Sequence, residues 1–191
     1  MARAGLSEGR VVAEAERIAD DIGLSRLTLA ALAESLGVRQ PSLYKHIDGM
    51  DALQRSIAVR AKSELGEVLG RAAVGKSGDD AIRSLSTAYR RWALEHPGRY
   101  SATVRAPDPG DTDDEAASAA VVGVVFDVLA GYDLHGADAI DATRALRSTL
   151  HGFIALESSG GFGLPVDVDR SFERLVDGLV LALGTLATPT T

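Results

Sequence analysis

Residues 36–47 read LGVRQPSLYKHI, and the side chains able to make directional hydrogen bonds crowd the middle of that run. Arg39 carries a planar fork of donors, and Gln40 carries a donor and an acceptor on one amide. These are the two groups that pair bidentately with the edges of guanine and adenine in a major groove. Ser42, Tyr44 and Lys45 suit phosphate oxygens, and His46 adds a ring nitrogen at the end of the run. The segment holds Arg39, Lys45 and His46 and no acid. A solvated polar helix of the same composition is the alternative, so the surrounding elements must decide.

Those elements are two short helices. Thr28 is placed to cap a helix over 29–36, and Gly37 stands just past its end, where a left-handed residue stops a helix. Pro41 opens a second helix over 41–46, because its missing N–H costs nothing at a first helical position. Gln40 before it is pushed out of helical conformation and suits the cap. Two short helices joined by a tight glycine turn describe a helix-turn-helix. Leu29, Leu32, Leu36, Val38, Leu43 and Ile47 face inward, which leaves Arg39, Gln40, Ser42, Tyr44, Lys45 and His46 outward. A first helix over 8–22 precedes the pair, with Val11, Ala15, Ile18 and Ile22 on one stripe, Ser7 at its start and Gly23 at its end.

The run LGVRQPSLYKHI, preceded by LTLAALAES and by that amphipathic first helix, resembles the DNA-binding domain of the TetR family of tetracycline-repressor-type regulators. The resemblance covers about residues 8–55. It implies an all-helical homodimer, with a three-helix DNA-binding domain in residues 1–48 and an effector-binding and dimerisation domain in residues 49–191. It implies that Thr28, Tyr44 and Lys45 contact the DNA backbone. Arg39, Gln40, Pro41 and Ser42 match positions that face bases, and His46 matches one near the end of the recognition helix. A thinner likeness, by scattered positions over 80–187, links YRRWALEHP (89–97) and Leu150-His151-Gly152-Phe153 to the Trp/His-Gly type of C-terminal domain in that family.

Helical periodicity continues through the remainder, and period-2 alternation bounded by hairpin turns is absent, so the fold class is all-α. Nine helices are expected, over 8–22, 29–36, 41–46, 49–72, 78–95, 98–105, 113–130, 137–159 and 168–187. Asp48 and Ser77 stand where N-caps belong, and Thr112 with Glu115 reads as a capping box. Residues 106–111 (APDPGD) break helix. The glycine-rich connection 158–168 is either a lid or a solvated connector.

Tyr89, Trp92 and His96 share a stripe with Ile82 and Leu85. Such a stripe lines a pocket for a mostly apolar effector, or is plain core. Phe126, His151, Phe153, Glu157 and Phe162 are further effector candidates. Glu157 either meets a ligand's polar group or sits at an exposed helix end. The last two helices are the expected homodimer surface. Ala142, Ala145, Thr149, Gly152 and Ala155 allow close approach on one, and Leu175, Val176, Leu179, Val180 and Leu183 supply apolar area on the other.

Catalysis finds no support. There is no cysteine, the four histidines lack metal-ligand spacing, and no GxSxG, P-loop or GxGxxG is present. No catalytic residue, metal or cofactor is expected. The longest nearly apolar run, Ala116–Phe126, is about half of the roughly 20 residues a spanning helix needs, and the N-terminus lacks a signal-peptide core, so a cytoplasmic location is expected. The formal charge of −7 disfavours indiscriminate nucleic-acid binding, yet five acids cluster between Asp108 and Glu115 while 36–47 has none. The expected function is a homodimeric repressor released from a palindromic double-stranded DNA operator by a small molecule. The alternative is a DNA-bound scaffold governed by a protein partner.

One departure from the family pattern gives a measurable expectation. Many members carry a lysine near the start of the fourth helix that reaches a phosphate, whereas this chain reads Asp48-Gly49-Met50-Asp51. Each phosphate contact steepens the fall of log affinity with log salt. A salt titration of DNA binding should therefore give a shallower slope, and weaker non-specific affinity, than a relative with that lysine; an equally steep slope refutes the expectation.

Overall fold

The computed structural model describes residues 6–186, and among these every regular element is helical. The α-helices are α1 (Glu8–Ile22), α2 (Leu29–Leu36), α3 (Met50–Ala73), α4 (Gly78–Glu95), α5 (Pro97–Ala102), α6 (Thr112–Ala130), α7 (Gly136–Ser158) and α8 (Val168–Leu186). Two 3₁₀ helices, Leu24–Arg26 and Gln40–Lys45, complete the set. The expected helix over 41–46 is the second of these. Its tighter winding suits a segment too short to close several α-type bonds.

The N-terminal caps behave as the residue types dictate. The Ser7 hydroxyl accepts from the Arg10 N–H at 3.4 Å, and the Thr28 hydroxyl accepts from the Ala31 N–H at 3.1 Å. Gly37 ends α2 at φ 67°, ψ 33°, and the Val38 N–H returns to the Ala33 carbonyl at 3.0 Å. Two expected caps lie elsewhere. The first α-type bond of α3 runs from the Leu53 N–H to the Gly49 carbonyl, so Gly49 at φ 100°, not Asp48, precedes the helix. At α6 the Asp111 carboxylate accepts from the Asp114 N–H at 3.1 Å, and the Glu115 carboxylate reaches back to the Gly110 N–H at 3.1 Å. The cap is therefore Asp111 and Thr112 is the first helical residue. A carboxylate accepts there more strongly than a hydroxyl.

The chain divides into two compact units. The first comprises residues up to 63 together with 95–118. Its core gathers Val11, Val12, Ala15 and Ile18 of α1, Leu32 and Ala33 of α2, and Leu43 and Ile47 of the 40–47 segment. Leu53, Ile57 and Ala58 of α3 and Ala102 of α5 complete that core. The end of the three-helix head, at the 48/49 boundary, thus falls inside a larger unit.

Segment 95–118 is bound to that unit by backbone contact and charge. A Cβ built at Gly98 stands 2.1 Å from the Ala19 carbonyl carbon and oxygen, so only glycine lets α5 come this close to α1. Asp20 of α1 accepts from the Arg99 N–H at 2.9 Å and from Arg99 Nε at 2.7 Å, capping α5 from another helix. Arg55 of α3 bridges Asp111 and Asp113, and Arg60 meets Glu16 at 2.9 Å. Lys62 Nζ meets Asp114 at 2.6 Å with side chains 4% and 9% exposed.

The second unit comprises 64–94 and residues from 119 onward. Leu65 and Leu69 of α3, Ile82 and Leu85 of α4, Leu129 of α6, Leu150 and Ile154 of α7, and Phe172 and Val176 of α8 are buried in it. Glycine again marks close approach: a Cβ on Gly131 would lie 3.1 Å from the Gly78 nitrogen.

The Lys62–Asp114 pair yields a stability prediction. Removing one partner strands the other charge out of water, so Lys62→Ala should cost about 3–5 kcal/mol, whereas an apolar pair of similar volume is tolerated. Urea unfolding of Lys62→Ala and of the double variant Lys62→Met with Asp114→Leu checks this. The single variant should be the less stable of the two.

Candidate nucleic-acid interface

The 3₁₀ helix 40–45 presents its polar side chains because Leu43 and Ile47 anchor its other side, at 0% and 7% exposure. The Ser42 N–H bonds the Arg39 carbonyl at 2.8 Å and the His46 N–H bonds that of Leu43 at 2.8 Å, so the backbone satisfies itself locally. Arg39, Gln40, Pro41, Tyr44 and Lys45 are exposed, Tyr44 at 54%, while Ser42 and His46 are half-buried. The inward set is inward: Leu32 and Leu43 are fully buried, and Leu29, Leu36 and Val38 pack partly buried against the same core. Thr28 is exposed, and its hydroxyl spends only a lone pair on the cap, leaving its proton for an outside acceptor.

Charge distinguishes this surface from its surroundings. In the same unit Glu14 and Asp21 bind Arg17, Glu16 binds Arg60, Asp20 binds Arg99, Asp111 and Asp113 bind Arg55, and Asp114 binds Lys62. The Arg17 guanidinium and the Ser35 hydroxyl hold the Glu14 carboxyl below the usual carboxylate range. The side chains of Arg39, Gln40, Tyr44 and Lys45 make no hydrogen bond or ion pair among the described residues. These seven acids are engaged, exposed Glu34 and Asp48 are not, and the donors of 39–45 are available. The pairing across tens of residues carries no local sequence signal.

The effector candidates separate into groups. Tyr89 and Trp92 of α4 are buried, at 8% and 3%. His96 lies in the first unit, its Nδ1 3.5 Å from Asp20 and beside Arg99. Phe126 is 36% exposed on α6, and His151 is half-buried on α7. Phe153, Glu157 and Phe162 come together around a residue that sequence reasoning passed over, Arg90. Its Nε donates to Glu157 at 2.7 Å, and its Nη2 reaches Glu157 and also Asp169, the latter at 2.7 Å. Its guanidinium stands 4.8 Å from the Phe172 ring and 5.8 Å from that of Phe153. Phe153 contacts Phe162 at 4.7 Å and Phe172 at 5.2 Å between centroids. Hydrogen bonding to Glu157 first, and to Asp169 next, pushes the Arg90 guanidinium further above its ordinary value. Arg90 thus ties the last turn of α7 to the first turn of α8 across the glycine-rich connection.

The last two helices keep one flank unused. Ala145, Ser148, Gly152, Ala155 and Leu156 of α7 are exposed, as are Gly178, Leu181, Ala182 and Thr185 of α8. Ala142, Val176, Val180 and Leu183, expected on the partner surface, are instead buried within the chain. A stripe wide enough for both purposes is divided between them, the larger side chains going inward.

Comparison with known proteins relates the chain to transcriptional regulators. Residues 82–179 match the family model described as a tetracyclin repressor-like C-terminal domain. An uncharacterised HTH-type transcriptional regulator of Mycobacterium tuberculosis is 38% identical over 182 residues, covering 95% of this chain and 82% of that one. Another, of Bacillus subtilis, is 38% identical over 171 residues, covering 88% of each. A variant TetR from Acinetobacter baumannii, solved in complex with minocycline, superposes with a TM-score of 0.72 at 21% identity, over 97% of this chain and 100% of that one. Among the described residues no helix is long and apolar enough to cross a membrane.

The exposed set makes separable predictions for a bound duplex. Lys45→Ala should weaken binding to all sequences alike and lower the salt slope by about 1, whereas Gln40→Ala should cost about 1–3 kcal/mol only on the preferred sequence. Fluorescence anisotropy with specific and scrambled duplexes at several salt concentrations distinguishes them. A Lys45 effect confined to one sequence contradicts the backbone role.

Proposed function

From the premise that this chain is a DNA-binding transcriptional regulator of the TetR family, not an enzyme, we propose that it works as a homodimeric repressor released from its operator by a small molecule. The observation that carries the reading is the exposed, unpaired set Arg39, Gln40, Tyr44 and Lys45, anchored by buried Leu43 and Ile47 within a segment, 36–47, that holds no acid. Gln40 and Arg39 address base edges, with Pro41 and Ser42 against the groove. Thr28, Tyr44 and Lys45 hold phosphates, and His46 closes the contact. Their task is to fix register first and sequence second.

Two copies pair through the unused flanks of α7 and α8. That symmetry calls for a palindromic operator whose half-sites lie about one helical turn, or a multiple of it, apart. The effector enters the unit formed by 64–94 and the residues from 119 onward. It acts by binding the released conformation more tightly than the DNA-bound one, since equal affinity for both shifts nothing. Tyr89, Trp92 and the Phe153–Phe162 pair supply its apolar contacts. The protein acts in the cytoplasm, where its DNA is.

Selection of bound duplexes from a random pool, with the purified protein, tests the reading. A palindrome should be enriched, and light scattering at micromolar concentration should give the mass of a dimer. A thermal-shift screen should then find small molecules that raise the melting temperature and lower operator affinity. Failure to enrich any sequence with Arg39, Gln40, Tyr44 and Lys45 intact sinks the proposal. Enrichment without any small-molecule response points instead to control by a protein partner.

A further inference from the structure

A groove of about 300 Å³ lies between α4 and α8 and is lined by Arg83, Thr87, Phe172, Glu173, Val176 and Asp177. It is separate from the effector candidates Tyr89, Trp92 and His151, none of which lines it. Its floor is apolar: Phe172 and Val176 are each 4% exposed. Its polar groups are a guanidinium, a hydroxyl and two carboxylates. Arg83, the groove's only cation, is bonded to Asp177. The Thr87 hydroxyl donates its proton to the Arg83 carbonyl at 2.9 Å, so only its lone pairs face outward. Glu173 is exposed and makes no hydrogen bond or ion pair among the described residues. One turn beyond Asp177 on the same ridge, Leu181 is 72% exposed and continues the rim as apolar surface. The lining therefore sets an ion pair, Arg83 with Asp177, beside one unpartnered carboxylate, Glu173, and the Thr87 lone pairs, over an apolar base.

We propose that this groove is a binding site for a small protonated amine carrying a compact apolar body. The ammonium group is recognised by the Glu173 carboxylate and the Thr87 oxygen, and the apolar body lies on Phe172 and Val176. The volume is at the lower end of small-molecule sites, which suits a ligand of one ring or a short branched chain. Neutral alcohols lose the charged hydrogen bond, and anions meet the unpartnered Glu173 carboxylate. Phe172 also carries the Arg90 guanidinium over its ring, so occupancy of the groove bears on the residue that joins α7 to α8.

The test uses 2-phenylethylammonium as the probe, with 2-phenylethanol and 3-phenylpropionate as neutral and anionic counterparts, on the full chain without DNA. Amide chemical shifts should move saturably for the amine alone, centred on Thr87 of α4 and residues 172–177 of α8. Glu173→Gln should weaken the amine about tenfold or more, the share of a charged hydrogen bond. Glu173→Lys should transfer the preference to 3-phenylpropionate, and Thr87→Arg should abolish amine binding. Both positions are exposed, and circular dichroism melts confirm that each variant folds. Equal binding of the amine and the alcohol overturns the proposal, as does indifference to Glu173→Gln. Shifts centred on Tyr89, Trp92 and His151 overturn it as well, and so does the absence of saturable binding, including exclusion of the probe by a second copy. Because no DNA is present, none of these results bears on operator binding, and loss of operator binding leaves this site standing.

Discussion

A head of three short helices cannot bury enough surface to stand alone. Domains below about 40–60 residues expose too large a fraction of their chain for apolar burial to offset ordering. Residues 8–47 lie at that limit, and the structure shows how the shortfall is met. Leu53, Ile57 and Ala58 come from α3, and Ala102 comes from α5, into one core with Val11, Leu32 and Leu43. The close approach of α5 rests on Gly98, because any Cβ there would strike the Ala19 carbonyl. The reading surface 39–46 is held still by residues that lie well outside it in the sequence. A substitution at Gly98 or in the middle of α3 is accordingly a change to the unit that presents residues 39–46.

The same unit uses its acids as structural material. Asp20 caps α5, Asp111 caps α6 while binding Arg55, and Asp114 is buried with Lys62. A negative charge near helix N-termini is favourable on its own account, and pairing with arginine keeps the carboxylates ionised. For the net charge of −7 the consequence is specific. Acids that are internally neutralised add little repulsion at short range, so Arg39 and Lys45 remain effective close to a duplex. Uncompensated acids such as exposed Glu34 and Asp48 oppose loose, unspecific approach over a screened distance.

What could be read from the sequence followed from local rules. Gly37 takes the left-handed conformation at no steric cost, Pro41 has its φ fixed, and the leucine spacing of α2 fixes its buried side, so the turn and the outward set were legible. Caps were legible only to the residue. Asp111 and Thr112 both accept hydrogen bonds, and the choice depended on Arg55, which is 56 positions away. The site around Arg90 was illegible for the same reason. An arginine in a helix predicts a solvated end, and only the tertiary meeting of Phe153, Phe172, Glu157 and Asp169 makes it a bridge. His96 shows the limit of a stripe argument. It continues the α4 periodicity from Tyr89 and Trp92, but Pro97 ends that helix and turns the imidazole toward Asp20.

Periodicity also could not divide the apolar residues of α8 between the chain's own core and a partner, and the division constrains the proposed dimer. The flank left over is mostly small, with Gly178, Ala182 and Thr185 exposed beside Leu181, and Arg174 stands one turn before Gly178. Small side chains let two backbones approach closely, which makes any charge at the contact costly. Across a two-fold axis residue i of one copy meets residue j of the other and j meets i, and only residues at the axis meet their own counterparts. An axis running along α8 brings the two copies of Arg174 together at short range. An axis crossing α8 at right angles near Gly178–Ala182 sets Arg174 of each copy opposite the Thr185 end of the other, and the arginines stay about three turns of helix apart. For the dimer proposed above, like-charge repulsion in a closely packed contact favours an antiparallel crossing of α8 over a parallel one.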